Sequence, residues 1–264
     1  MLKERTKDFF YFFLNVLARF AVFFVRSPRA SILMYHSISD NGVFFTVKPK
    51  DFEKQTEYLK SFGFKIISLA EMVEAIKSRN LKDKSVVLTF DDGYKDNYKN
   101  AWPVLKKYGF PAVIFLASDF TGKNFTVSSG QQLEILNEEE IKEMAEFGLV
   151  EFGSHTRTHP RLEKISDEEF EKEIRESKEA LEKITGKRCR FFSYPKGYFR
   201  PAFGEILKRN GFEAAVSVKE GLVRSEDNLF LLRRNFVYSA GGFCQFVGKL
   251  GYSVPIYNFF KKFF

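Results

Sequence analysis

Histidine is scarce in this chain of 264 residues: there are three, His36, His155 and His159, and none follows residue 159. Any chemistry that needs an imidazole must draw on these. Cysteine is scarcer still, with only Cys189 and Cys244 and no C-x-x-C spacing, which gives no disulfide framework. There is no Gly-rich loop of the P-loop or dinucleotide type and no nucleic-acid-binding motif. Repeats and an obvious linker are absent between residues 30 and 250, so that span reads as one domain. A formal net charge of +8 could by itself suggest nucleic acid. The Lys and Arg residues, however, are scattered among Glu on amphipathic segments, the pattern of solvated helix faces, and no nucleic-acid partner is expected.

What is present is a globular composition, 44% apolar and 29% charged, in a chain long enough for one large α/β domain with a substantial core. Strands and helices alternate along it. Strands are expected at Ser31–Tyr35, Lys65–Ile67, Ser85–Phe90, Ala112–Leu116, Val150–Phe152, Phe191–Tyr194, Ala214–Val218 and Leu231–Val237. Between them, helices are expected at Lys50–Phe62 (with Phe52, Tyr58, Leu59 and Phe62 inward), from Ser68 to Arg79, from Lys95 to Tyr108, at Glu138–Phe147 and Asp167–Thr185, and near Phe203–Asn210. Ser68 with Glu71 forms a capping box, Asn137 and Ser166 cap their helices, and Gly186 ends the longest one. Residues 119–136 are polar and read as a loop over one end of a barrel. The alternation implies a mostly parallel sheet or barrel.

The histidines and one acidic pair fall at strand ends. Tyr35-His36 closes the first apolar run, Asp91-Asp92-Gly93 follows Ser85–Phe90, and His155 and His159 follow the run ending at Phe152. In parallel α/β folds the loops after the strands converge at one edge, where chemistry gathers. Two imidazoles four residues apart, with a carboxylate brought from elsewhere, can hold one catalytic zinc. Asp91 and His36 would then be free for proton transfer. The plainer alternatives are a polar turn for Asp-Asp-Gly and a structural hydrogen bond for His36.

Taken together, these segments resemble the polysaccharide deacetylases, the NodB-homology group of carbohydrate esterase family 4. Thr89-Phe90-Asp91-Asp92-Gly93 is similar to the family's first motif. Ser154-His155-Thr156-Arg157-Thr158-His159-Pro160 is similar to its second, and Phe192-Ser193-Tyr194-Pro195-Lys196-Gly197 to its third. Gly211–Val216 and Leu232–Val237 sit where later segments are expected. Leu33-Met34-Tyr35-His36 resembles the subgroup that includes poly-N-acetylglucosamine deacetylases. The resemblance implies a distorted, incomplete (β/α) barrel that removes N-acetyl groups from amino sugars. It implies Asp92, His155 and His159 as ligands of a divalent metal, most simply zinc, and Asp91 as the base that takes the water's proton. It further implies the Tyr194 backbone N–H as an oxyanion donor and His36 as the acid that protonates the leaving amine. The substrate would be an N-acetylated sugar polymer or a lipid-linked sugar. A related deformylase or amidase, or a non-catalytic glycan-binding member, are the other readings. The chain departs from the family in two places. Ser193 stands where many members have an Arg that braces the catalytic Asp, and Arg190 is not assigned that role. The late L-x-H segment is missing its His, which leaves His36 as the candidate acid. Tyr94, Tyr198 and Phe199 could line the sugar site by stacking.

The 33 Phe residues are concentrated at the two ends. Phe9 to Val25 is a run of seventeen residues, strongly apolar except for Asn15 and Arg19. Lys7, Tyr11, Asn15 and Arg19 recur every four residues and form one narrow polar stripe on a helix. This suits a retained N-terminal apolar helix lying in a membrane interface or making a short span, rather than a cleaved signal peptide; packing on the domain's own core is the alternative. The tail Tyr257–Phe264 mixes aromatics with lysines in the same way. The expected organisation is an anchor over residues 1–29, a catalytic domain over 30–250 and an aromatic, basic tail over 251–264. Membrane contact is then expected through both termini, at a bacterial cell envelope.

Overall fold

The structure is a computed structural model that describes residues 29–251. The apolar run Phe9–Val25 and the tail Tyr257–Phe264 lie outside them. Ten strands are described: β1 (Ser31–Tyr35), β2 (Lys65–Ile66), β3 (Ser85–Phe90), β4 (Ala112–Leu116), β5 (Asn124–Thr126), β6 (Gln132–Glu134), β7 (Val150–Ser154), β8 (Phe191–Ser193), β9 (Ala214–Val216) and β10 (Asn235–Phe236). The α-helices are α1 (Pro49–Ser61), α2 (Leu69–Lys77), α3 (Trp102–Tyr108), α4 (Glu138–Phe147), α5 (Asp167–Thr185), α6 (Pro201–Arg209) and α7 (Gly242–Lys249).

The main sheet runs β10-β1-β3-β4-β7-β8-β9, with β2 added at the start of β3, and every pairing in it is parallel. Parallel strands need crossovers, which the helices supply, and the result is a curled, incomplete (β/α) barrel. The seam lies between β9 and β10. There Leu232 makes one parallel bridge to Val216, while Asn235 and Phe236 pair with Leu33 and Met34 of β1. Four residues therefore step from one edge of the sheet to the other. This breaks the single strand expected over Leu231–Val237 into a 3₁₀ turn (Leu229–Leu231), the bridge, and the short β10.

Side chains alternate across the sheet. Val86, Leu88 and Phe90 of β3 join the larger core with α1, α3, α4, α5 and α6, including Phe52, Leu105, Ile141, Phe170 and Phe203. Val87 joins a second cluster inside the barrel, with Ile32, Val113, Phe115, Phe191 and Val216, and α2 adds Leu69, Met72, Val73 and Ile76 to it. Thr89 and Asp91 continue this inner face toward the C-terminal end, so the interior changes from apolar to polar along one strand. Cys189 is buried, which pushes its thiol up to about 12 and leaves it a packing residue.

The capping boxes at Ser68, Asn137 and Ser166 form, and Gly186 closes α5 in the left-handed conformation. Three local expectations are corrected. Residues 119–136 are not a plain loop: Asn124–Thr126 and Gln132–Glu134 form an antiparallel hairpin, anchored by a bridge between Tyr94 and Ile135. The helix expected from Lys95 opens instead with a π-helical segment, Asn97–Ala101. Phe62, expected inward, is 51% exposed and stacks on Tyr58 at the end of α1.

Candidate active site

Because the main sheet is parallel throughout, the residues that follow its strands collect at one edge. Tyr35 pairs with Phe90, so the next residues, His36 and Asp91, leave β1 and β3 side by side. Ser154 pairs with Phe192, which sets His155 beside Ser193. A cleft of about 550 Å³ lined by Pro111, Leu149, Glu151, Arg190 and Glu213 opens at the opposite ends of the strands and carries none of the expected site residues.

Asp92, His155 and His159 converge, with one ligand atom from each lying within 4.8 Å of the others. The Asp92 Oδ1 atom is 3.6 Å from His155 Nε2 and 3.7 Å from His159 Nε2. Those separations are too long for hydrogen bonds. They are close to the roughly 3.3–3.5 Å between ligand atoms of a tetrahedral zinc with bonds of about 2.0–2.1 Å. The other oxygen of Asp92, Oδ2, accepts the Tyr94 hydroxyl at 2.9 Å, which turns Oδ1 toward the imidazoles. His155 Nδ1 lies 2.7 Å from the Ser193 carbonyl oxygen. A carbonyl can only accept, so Nδ1 carries the proton and Nε2 presents its lone pair. Burial lowers the His155 pKa to about 4, which keeps the ring neutral. The donor set therefore fits a divalent metal.

The backbone that brings these three side chains together is strained. Asp92 and Gly93 are consecutive left-handed residues, at φ 68° and 70°, and this tight turn sends the Asp91 and Asp92 side chains in different directions. A Cβ at Gly93 would also meet Leu116 at 2.1 Å. Thr156 and His159 lie at φ 67° and 53°. For a β-branched residue such as Thr that costs on the order of 1–3 kcal/mol. The Thr156 hydroxyl offsets it locally, donating to the His155 carbonyl and accepting the His159 N–H at 3.0 Å. From outside, the Glu173 carboxylate on α5 accepts the Arg157 N–H, the Thr158 N–H and the Thr158 hydroxyl, all within 2.9 Å. Glu173 thus fixes the loop between the two histidines, a role hidden in sequence among the charges of an amphipathic helix.

Asp91 is 3% exposed and is gripped by Arg234, which is fully buried. The guanidinium donates to both carboxylate oxygens, at 2.6 and 2.7 Å. Its remaining N–H groups donate to the Thr89 hydroxyl, the Ser193 hydroxyl and the Ser217 carbonyl, so all five donors are used. Burial pushes the Asp91 carboxyl up, but Arg234 outweighs it and holds the group well below the usual carboxylate range. Arg234, like Glu173, is a residue that the sequence reading missed. The brace expected just before Tyr194 comes instead from the seam, and Ser193 is one of its partners. The available signal was an Arg alternating with Leu232 and Phe236 on the inner side of an expected strand.

His36 lies near Asp91, its ring between Phe45 and Phe236 at centroid distances of 5.2 and 5.4 Å. Its Nδ1 is buried and has no hydrogen-bond partner. The Tyr194 N–H donates to the Val216 carbonyl in a long bond of 3.3 Å, and its hydroxyl donates to the Phe230 carbonyl. Of the three aromatics considered for sugar stacking, Tyr94 is buried and engaged by Asp92, so it presents no face to a ligand. Phe199 packs edge-on against Tyr194. Tyr198 is the most open of the three, at 36% exposure.

A sequence model described as polysaccharide deacetylase matches residues 78–215, a span that contains Asp91, Asp92, His155, His159 and Tyr194 but neither His36 nor Arg234. The Bacillus subtilis (strain 168) protein YxkH, named for the polysaccharide deacetylases, is 31% identical over 210 residues, 79% of this chain and 71% of that one. The poly-beta-1,6-N-acetyl-D-glucosamine N-deacetylase of Staphylococcus aureus (strain MSSA476) is 30% identical over 199 residues, 72% of this chain and 67% of the relative. The solved structure of Streptococcus pyogenes deacetylase PplD in complex with acetate matches with a TM-score of 0.71 at 29% identity, covering 81% of this chain and 96% of that chain.

Proposed function

The chain belongs to the polysaccharide deacetylase family, hydrolases of carbon–nitrogen amide bonds, and on that premise we propose that it is a divalent-metal-dependent N-deacetylase of an N-acetylglucosamine polymer or lipid-linked amino sugar. The observation that carries the reading is the convergence of Asp92, His155 and His159 beside a buried, ionised Asp91. The Staphylococcus aureus relative, named for poly-beta-1,6-N-acetyl-D-glucosamine, supports a polymer of N-acetylglucosamine as substrate.

In this proposal Asp92, His155 and His159 hold the cation, with zinc the simplest fit to two imidazoles and one carboxylate. When bound, it would polarise the acetamide carbonyl and bring a water's pKa toward about 7. Asp91 takes the proton of the attacking water. Arg234 keeps that carboxylate ionised and fixes its plane, so the base is charged and oriented before substrate arrives. As the C–N bond breaks, its electron pair passes to nitrogen, and His36 supplies the proton that completes the amine. Acetate and a free amino sugar leave. An oxyanion role for the Tyr194 N–H would require it to share its long bond to Val216.

We also place the enzyme at a membrane surface of the bacterial envelope. This rests on the Phe-rich sequences before residue 29 and after residue 251. Among the described residues no helix is long and apolar enough to cross a membrane. The test of function is acetate release by the full chain across polymeric, lipid-linked and nucleotide-linked N-acetyl sugars, with an N-formyl sugar included. Release from N-acetylglucosamine oligomers that Asp91→Asn abolishes is the expected result. Preference for the formyl sugar would overturn it in favour of a deformylase.

A further inference from the structure

The segment that carries His36 is held from one side by three side chains that follow the acidic pair. Asn97 donates its amide to the His36 carbonyl at 2.8 Å and to Asp96 Oδ1 at 3.1 Å. Asp96 accepts the Ser37 hydroxyl at 2.6 Å and the Ile38 N–H at 2.9 Å. Asn100 donates to the Ile38 carbonyl at 2.7 Å. All of these bonds except the one between Asn97 and Asp96 fall on residues 36–38, immediately beyond the last pairing of β1 with β3, where the main sheet no longer fixes the chain and a bridge from Ile38 to Val47 holds the other side. Asn97 and Asn100 belong to the π-helical segment Asn97–Ala101, and Asp96 stands at its start. Single π turns inside helices recur at functional sites.

The His36 ring needs such help. A working imidazole is ordinarily oriented by a hydrogen bond to the nitrogen that does not do the chemistry. Here Nδ1 is buried and unpartnered, and the ring's neighbours are the apolar faces and edges of Phe45 and Phe236. Two rings limit where the imidazole can swing, but they do not fix how far it reaches from β1. That distance is set by the backbone at residue 36, which Asn97 holds directly.

We propose that Asp96, Asn97 and Asn100 form a clamp that positions His36 for proton donation to the leaving nitrogen. The clamp ties the acid to the same loop that carries the base Asp91 and the ligand Asp92, so the three groups move as one unit. The inference rests on the reading of His36 as the acid.

Its test uses the difference between two leaving groups on the same acetyl. An amide nitrogen must be protonated to leave, so it needs the acid. An aryl acetate such as 4-methylumbelliferyl acetate releases a phenolate stabilised by its ring, whose conjugate acid is more acidic than a tyrosine phenol, and this group can leave without the acid. Metal-loaded full chain and its variants are assayed on N-acetylglucosamine oligomers and on the aryl ester. His36→Ala should lose about 10²-fold or more on the amide, the usual scale of general-acid catalysis, and no more than about 3-fold on the ester. Asn97→Ala and Asp96→Ala should show the same selectivity at smaller amplitude, roughly tenfold on the amide, because misplacing a catalytic group by a fraction of an ångström forfeits part of its contribution. Asp96→Asn, which keeps one acceptor oxygen, should recover most of the amide rate. The ester rate reports folding and metal loading, which a merely structural role would lower together with the amide rate. Equal losses on both substrates in the clamp variants, with His36→Ala selective, would overturn the clamp alone. A His36→Ala variant without selectivity would overturn the acid reading beneath it. Should Asn97→Ala or Asp96→Ala fail to fold, the half-exposed Asn100→Ala carries the same comparison with the same two outcomes.

Discussion

The two halves of the site are built differently. Asp92, His155 and His159 follow β3 and β7 near the middle of the sheet, and strained loops hold them close. Arg234 immediately precedes β10 and His36 immediately follows β1, strands from opposite ends of the described residues that pair beside the seam. The first half lies within the span matched by the family and is made of short motifs with fixed spacing. The second lies outside that span and is assembled by topology. In the proposed function, one half gathers the metal ligands and the other sets the charge and position of the groups that would move protons. The first half is set by local turns after two strands, whereas the second depends on β10 pairing with β1 across the seam.

The comparison breaks first at Arg234. Arg234→Met leaves Asp91 buried without its partner, a loss of about 3–5 kcal/mol. Denaturant unfolding should show that loss, and acetate release should fall with it. Adding Asp91→Asn should restore much of the stability and none of the activity, since the apolar and neutral side chains then remove the charge imbalance. A single variant as stable as the wild type would show that the seam does not govern this half.

Titration of the metal-free protein is the next test, on the ligand half. Burial holds the folded-state pKa of His155 near 4, below the ordinary 6.5. The unfolded chain therefore binds a proton that the folded chain does not between those values. Stability from this group is fully present above about pH 6.5 and falls as pH drops toward 4, by on the order of 3 kcal/mol. Thermal melts across this range check it, and the loss should shrink in a His155→Gln variant. The ionised Asp91 adds a separate decline at lower pH, beginning near its ordinary value of about 3.9.

Glu173→Ala sharpens the comparison further. It frees the loop between the two histidines, and outer partners of metal ligands are typically worth about 10–100-fold in affinity. Zinc titration by calorimetry should weaken by that factor while Glu173→Gln retains part of it. The smallest effect is expected for Tyr94→Phe, which removes one hydrogen bond to Asp92, worth about 1 kcal/mol, and should weaken zinc several-fold with little change in stability.

How much of this was legible in the sequence follows the same division. Asp91, Asp92, His155 and His159 stood out because they follow apolar runs, and the structure gathers them at one sheet edge. His36 could be named from its place after Ser31–Tyr35, and the structure sets it near Asp91. Arg234 showed only as an Arg on the inner side of an expected strand, and its role depends on the four-residue step across the seam, which no local pattern announces. The hairpin over residues 124–134 was obscured by its polar composition, although Phe125 and Val127 on one side of Ser128-Ser129-Gly130 and Leu133 and Ile135 on the other do alternate. Glu173, Asp96 and Asn97 were hidden for a common reason. Each bonds backbone atoms of a distant loop, and a polar side chain that does so looks in sequence like any solvated one.

The most direct measurement restores zinc to stripped protein. Acetate release from N-acetylglucosamine oligomers should be absent without metal, rise in proportion to added zinc and level off at one equivalent per chain. Full release from the metal-free protein would contradict the assignment of Asp92, His155 and His159.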